Sequence, residues 1–411
     1  MDVKVKTCLD ITLLIFLMLW PAVDTLNGYF HYQEVAMPSI SAPYKALGFI
    51  GVVLMLLVYH PWRFFQLLIM IALLVASIAY QMFVYGAATE STTWAVRGLL
   101  TLALLFYLIG ESANGSFWSG EKIAALMLIY FVAMAANVTL GVFGVGESQY
   151  AGGIGGKGFI IAGNEMSYLM LASASIVLFY IAENKNVWVL SSVFLVLLFF
   201  FLMKATKVAM IGICLAYLYA LIHGGYFNVK RIPVIYILGL GGAFAMSVLG
   251  YQFIQATGLL DRIIYLYSLH GGIWGALLSG RVTFLQDAFS QVIIDFSFLD
   301  VFFGVGVDHL LAVRGSLVEI DLVDVFIAFG IVGPLVFYFP WLLVLKWSSQ
   351  LFASSPKDSV CFMLLAITLI GVSLTAGHVV NSGIASSATA FLVSYVYRVK
   401  EKRASFQGEG K

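Results

Sequence analysis

Apolar runs at 9–23, 46–60, 64–85, 97–113, 121–144, 159–182, 187–203, 207–222, 232–255, 322–346, 359–376 and 382–398 alternate with polar breaks along the chain. Most of them have the length needed to cross a bilayer, ~17 to 25 residues. Hydrocarbon offers backbone groups no hydrogen-bond partner, so such runs have to be helical. The pattern predicts an all-α integral membrane protein with about twelve transmembrane helices. It divides into helices one to nine over 1–255, an external loop over 256–320, and helices ten to twelve with a tail over 321–411. The last run, rich in Ser and Ala, has the weakest pattern and leaves eleven as the alternative count.

The segment from Ala256 to Ile320 is the one long connection. It carries the turn Gly304-Val305-Gly306 and a stretch from Arg281 to Phe296 with helical spacing. There Phe284, Leu285, Ala288, Val292 and Phe296 fall on one side, and Thr283, Gln286, Asp287 and Gln291 on the other. This is an amphipathic helix suited to lie on the membrane or over the bundle. A loop of this length with its own elements points to function.

Composition reinforces the membrane reading, because only 10% of the residues are charged and 62% are hydrophobic. A soluble domain carries a charged fraction of about 25%. The net charge of +1 and the lack of basic residues alternating with aromatics exclude nucleic acid as a partner. Cys8, Cys214 and Cys361 lie in apolar stretches without metal-ligand spacing and read as packing residues. Met1 to Trp20 joins a basic start to an apolar run, and Trp20-Pro21-Ala22 is a poor cleavage site, so the run reads as a retained first helix. With the N-terminus inside, Lys and Arg divide 14 to 8 in favour of the cytoplasmic side, which predicts cytoplasmic termini and an external 256–320 loop.

Ionisable groups in or beside spanning helices are costly and mark candidate function. On the outer side stand Lys204 and Lys207 at the turn between helices seven and eight, Arg281, and the acids Glu319, Asp321 and Asp324 at the mouth of helix ten. Cations could hold departing phosphates, and a carboxylate could take a proton from an attacking hydroxyl. The bland alternatives are that the lysines mark a turn, that Arg281 pairs with a loop acid, and that the acids favour the helix dipole. Asp321 and Asp324, three apart, share a helical face, whereas Glu319 precedes the first turn. Glu165, beside Asn164 at the outer start of helix six, could bind sugar hydroxyls or cap the helix. Asp308-His309 is a weak acid-base candidate, since adjacent residues diverge and a lone loop His is usually just solvated. His378 and Asn381 lie in the last outer turn, and Asp10 lies near the inner interface. The stretch Gly152 to Gly158 lacks the pattern of a phosphate loop and is expected to be a flexible outer linker.

In order along the chain come Lys157-Gly158-Phe159 with Gly163-Asn164-Glu165; Ala205-Thr206-Lys207; Ser279-Gly280-Arg281; Gly304-Val305-Gly306; and Glu319-Ile320-Asp321-Leu322-Val323-Asp324 followed by Gly330-Ile331-Val332-Gly333. This series, from about Lys157 to Pro334, resembles the O-antigen polymerase and O-antigen ligase superfamily and the related exopolysaccharide polymerases. The resemblance implies a helical membrane glycosyltransferase of the GT-C type in a bacterial inner membrane, with no cofactor and no metal. It implies that Lys207 and Arg281 clamp a pyrophosphate, and that the substrates are undecaprenyl-pyrophosphate-linked oligosaccharides. A chain-length regulator and a flippase are the partners implied besides membrane lipid. Lys207 stands where most members carry Arg, which keeps the charge but loses the bidentate fork. Ligases of this type carry a His at the position of Glu319, so the sequence favours a polymerase over a ligase. A repeat-unit flippase is the reading from another class, but it calls for charges deep in the bundle, whereas the candidates here gather at one face.

Overall fold

A computed structural model describes residues 3–35, 37–113, 117–150, 153–226, 264–265, 267–269 and 280–408. The apolar run at 232–255, the Lys230-Arg231 pair, Gly152 and Ser279 lie outside the described residues. The first helices are α1 (Val3–Tyr32), α2 (Ser41–Tyr59), α3 (Pro61–Tyr85), α4 (Thr89–Ala113) and α5 (Gly120–Val142). A hairpin of β1 (Glu147–Tyr150) and β2 (Ile154–Gly158) follows, then α6 (Gly163–Asn184), α7 (Val187–Lys204) and α8 (Lys207–His223). After the long connection's α9 (Arg281–Gln291), α10 (Phe298–Phe303) and α11 (Val307–Arg314) come α12 (Asp321–Phe329), α13 (Val332–Phe337), α14 (Phe339–Leu351), α15 (Pro356–Ala376) and α16 (Ser386–Gly408).

Among the described residues, eight helices are long and apolar enough to cross a membrane: α1 to α7 and α15. Their outward faces carry large apolar side chains such as Leu47, Leu54 and Phe199, as lipid contact requires. The helices most enclosed by protein are α4 and α6. α16 packs along α4, and α6 packs between α5 and α8. This arrangement explains the polar last run: Ser387, Ser394 and Thr389 of α16 are buried against protein, where small residues let helices approach closely.

Several expectations are corrected. α1 runs well past 9–23 at both ends. Asp24, just past the run, is accommodated by accepting from Ser41 (2.5 Å) and Lys45 (2.6 Å), and Asp10, inside it, accepts from Tyr107 (2.5 Å) and Trp118 (2.9 Å). The run at 322–346 is three helices, α12 to α14, instead of one. The break falls at Gly330, whose φ of 58° is left-handed and whose Cα leaves no room for a Cβ against the Phe302 backbone. Gln81, buried in α3, donates to the freed Ala328 carbonyl (2.6 Å) and to that of Phe303 (3.1 Å). Ile331 N–H bonds the Val301 carbonyl and Val305 N–H that of Ile327, both at 2.9 Å, so the turn Gly304-Val305-Gly306 is built into the break.

The predicted amphipathic helix ends at Gln291, and Ile293–Asp295 forms a separate 3-10 turn. Its apolar side packs as expected, with Ala288 and Val292 buried beside Leu310, Val318 and Ile327. From Ile154 to Gly158 the glycine-rich stretch is a strand and not a flexible linker: Gly156 and Gly158 lie against the α5 backbone at Val138 and Asn137, where any Cβ would collide. Lys204 does not merely mark a turn, since it is fully buried and donates to Gln149 of β1.

Candidate functional site

On the face where α1, α3, α5 and α7 end, the connection between α15 and α16 runs as a strap over the ends of the other helices. Asp321, the first residue of α12, accepts from the backbone N–H of Val379 (2.8 Å) and Val380 (3.1 Å) in that strap. Asp324, one turn on, reaches back to the N–H of Val318 (2.7 Å) and Glu319 (2.9 Å). Both carboxylates are buried and occupied by backbone donors. Each therefore holds a loop in place, which is the arrangement that satisfies a buried charge.

Glu319 differs from them. It sits just before the helix with φ 63°, and its side chain is 43% exposed. Arg281, the first residue of α9, holds it with Nη2 3.0 Å from the carboxylate and Nε 2.8 Å from the Glu319 carbonyl. The same Nη2 donates to the Ala376 carbonyl (3.1 Å) at the start of the strap. The reading of Arg281 as the partner of a loop acid thus describes its geometry.

At the first turn of α6, Asn164 donates to the same Ala376 carbonyl, and Glu165 accepts from Ser382 of the strap. The Ser382 hydroxyl in turn accepts from the N–H groups of Ile384 and Ala385, each at 3.0 Å. The strap also carries His378, at φ 60°. Burial lowers its pKa; Glu319 opposes that shift, and Arg281 and Arg97 add to it. Lys207 opens α8 beside Thr206, whose hydroxyl meets Ser167 of α6 at 3.2 Å, so it lies next to the same turn. Asp308 and His309 do not form a pair: Asp308 accepts from the N–H of Glu90 and Ser91 at the start of α4, while His309 lies against Tyr85 with ring centres 4.5 Å apart.

Behind the strap a cavity of about 650 Å³ opens between α1, α2, α4 and α6. Lys45, Arg97, Asp24 and Glu165 line it, and Gly383 of the strap closes one side. Lys45, Arg97 and Asp24 were not singled out from the sequence. The available signal was the cost of an ionisable group in an apolar run, which applies to Asp24 in α1. Among the described residues no group of three or more His, Cys, Asp or Glu side chains is placed to hold a metal ion.

Fold and site together define an all-α, multi-pass membrane protein with a charged cluster under one interhelical strap. No model of a protein family matches the chain, and neither does any curated protein sequence.

Proposed function

We propose that this chain is a polysaccharide polymerase that transfers a lipid-pyrophosphate-linked glycan onto a new lipid-linked repeat at the outer face of a bacterial inner membrane. The observation that carries this reading is the Arg281–Glu319 pair: one exposed carboxylate held at 3.0 Å by a guanidinium, among acids otherwise spent on backbone. Such a carboxylate is fit to serve as a general base. In the proposed reaction Glu319 takes the proton of the acceptor hydroxyl, and the hydroxyl oxygen bonds to the anomeric carbon. The bond from that carbon to the pyrophosphate breaks, and the lipid pyrophosphate leaves with the electron pair. Lys207 supplies positive charge to the leaving group. Arg281 is a positioning residue acting through Glu319, and Asn164 and Glu165 bind sugar hydroxyls.

The membrane arrangement proposed with it has twelve spans of the GT-C type. The eight long apolar helices are joined by the shorter α8, the run at 232–255, the broken α12 to α14 and the buried α16. Both termini are then cytoplasmic. Deletion and complementation test the reading through the glycan made. Cells lacking the gene are expected to display single repeats on their acceptor and to regain long glycan with the wild-type chain. Unattached polymer, or repeats trapped facing inward, in the deletion strain would overturn it.

A further inference from the structure

The 650 Å³ cavity does not end at its charged residues. Leu100 of α4 lines both this cavity and a small apolar void between α1, α2 and α4. Leu13, Phe16, Gly48 and Val52 then line both that void and a groove of about 290 Å³ between α1 and α2. The three spaces therefore lie side by side along one seam, from a polar cavity at the helix ends to an apolar groove on the lipid-facing side, with the Leu100 and Phe16 side chains standing between them. Gly51 faces open space in the groove, where a Cβ would meet no atom within 4 Å, whereas Gly48 makes room for the Phe16 ring.

The charges at the polar end are not equivalent. Lys45 is 2.6 Å from Asp24, which also accepts from Ser41, and Glu165 is engaged by Ser382. Arg97 lines the same cavity and is exposed, and its guanidinium makes no hydrogen bond or salt bridge among the described residues. Glu165 acts on Arg97 only through space, without a hydrogen bond, and a guanidinium so placed beside an apolar groove matches a ligand with an anion at one end and hydrocarbon at the other. Guanidinium groups bind phosphate oxygens in a bidentate manner, and hydrocarbon belongs where lipid chains already lie.

We propose that the seam between α1, α2 and α4 binds a membrane phospholipid, with its phosphate on Arg97 and Lys45 and an acyl chain in the α1–α2 groove. This site borders Glu165, assigned above to sugar binding, but contains neither member of the Arg281–Glu319 pair, and its test does not depend on the polymerase reading.

Native mass spectrometry of the detergent-solubilised full chain tests it. Phosphatidylglycerol is expected to remain bound at one equivalent, whereas diacylglycerol, which lacks the phosphate, and glycerol phosphate, which lacks the chains, are not. Arg97→Gln should weaken phosphatidylglycerol binding about tenfold, the size of one charge-assisted contact. Gly51→Leu, placed in open space, should weaken it while leaving the thermal midpoint in detergent near that of wild type. Equal retention of diacylglycerol, binding of glycerol phosphate as tight as that of the lipid, or wild-type binding by a folded Gly51→Leu protein would each overturn the proposal.

Discussion

Arg281 and Asn164, on helices far apart in sequence, donate to one acceptor, the Ala376 carbonyl oxygen, with Arg281 at 3.1 Å. That oxygen ends α15. Through it α9, α6 and the strap are fixed to one another, which ties both Glu319, through Arg281, and Glu165, through Ser382, to the same connection.

Arg281→Ala should both destabilise the protein and remove long glycan, because it leaves the Glu319 carbonyl and carboxylate without their donor and the Ala376 carbonyl with Asn164 alone. Hydrogen bonds to charged groups contribute about 1.5 to 3 kcal/mol each. Arg281→Lys should recover only part of both, since an ammonium cannot reproduce the fork that spans two carbonyls and a carboxylate. The checks are the thermal midpoint in detergent and the glycan ladder. Full polymer length from Arg281→Lys would show that charge alone suffices.

The three acids should separate by phenotype. Glu319→Gln is expected to stop polymerisation at normal protein level, because its carboxylate is exposed and its loss strips no backbone donor. Asp321→Ala should instead lower stability by about 2 kcal/mol by leaving the buried N–H groups of Val379 and Val380 unpaired. Asp321→Asn, which keeps an accepting oxygen, should lie between wild type and the alanine variant. Long glycan from Glu319→Gln cells would remove Glu319 as the base.

His378 gives the strap a pH dependence. Burial holds its pKa below the ordinary value of about 6.5. The unfolded chain therefore binds more protons than the folded one in the window just below that value, and stability falls as pH drops through it. Relative to His378→Gln, the wild-type thermal midpoint should fall between pH 7 and pH 5, the difference isolating His378 from the other groups that titrate in this window. An unchanged slope in His378→Gln would place the dependence elsewhere.

Orientation is open to labelling. In a protein with its native cysteines replaced, Gly144→Cys and Ser268→Cys should react with an impermeant reagent applied from outside, and Lys185→Cys should not. This follows from the proposed cytoplasmic N-terminus and from the helix order, which puts Lys185 and Gly144 at opposite ends of α6 and its neighbours. The reverse pattern would move Glu319 to the cytoplasmic side and remove the reaction proposed for it.

The membrane class and most helix positions are legible in the amino-acid pattern, because apolar runs of bilayer length have one stable backbone solution in lipid. It also marked Arg281, Glu319, Asn164 and Glu165, since charges and amides at helix ends are few in so apolar a chain. Pattern alone could not show the break at Gly330, because Gln81 and the Phe302 backbone that accommodate it come from distant parts of the chain. For the same reason the glycines of β2 read as a linker until the α5 backbone was seen to require them. The division of labour among the acids was likewise decided by tertiary structure: Asp321 and Asp324 meet backbone N–H groups and Glu319 meets Arg281. Lys45, Arg97 and Asp24 became a site only when three helices met, because a cavity is a property of packing and has no period in the sequence.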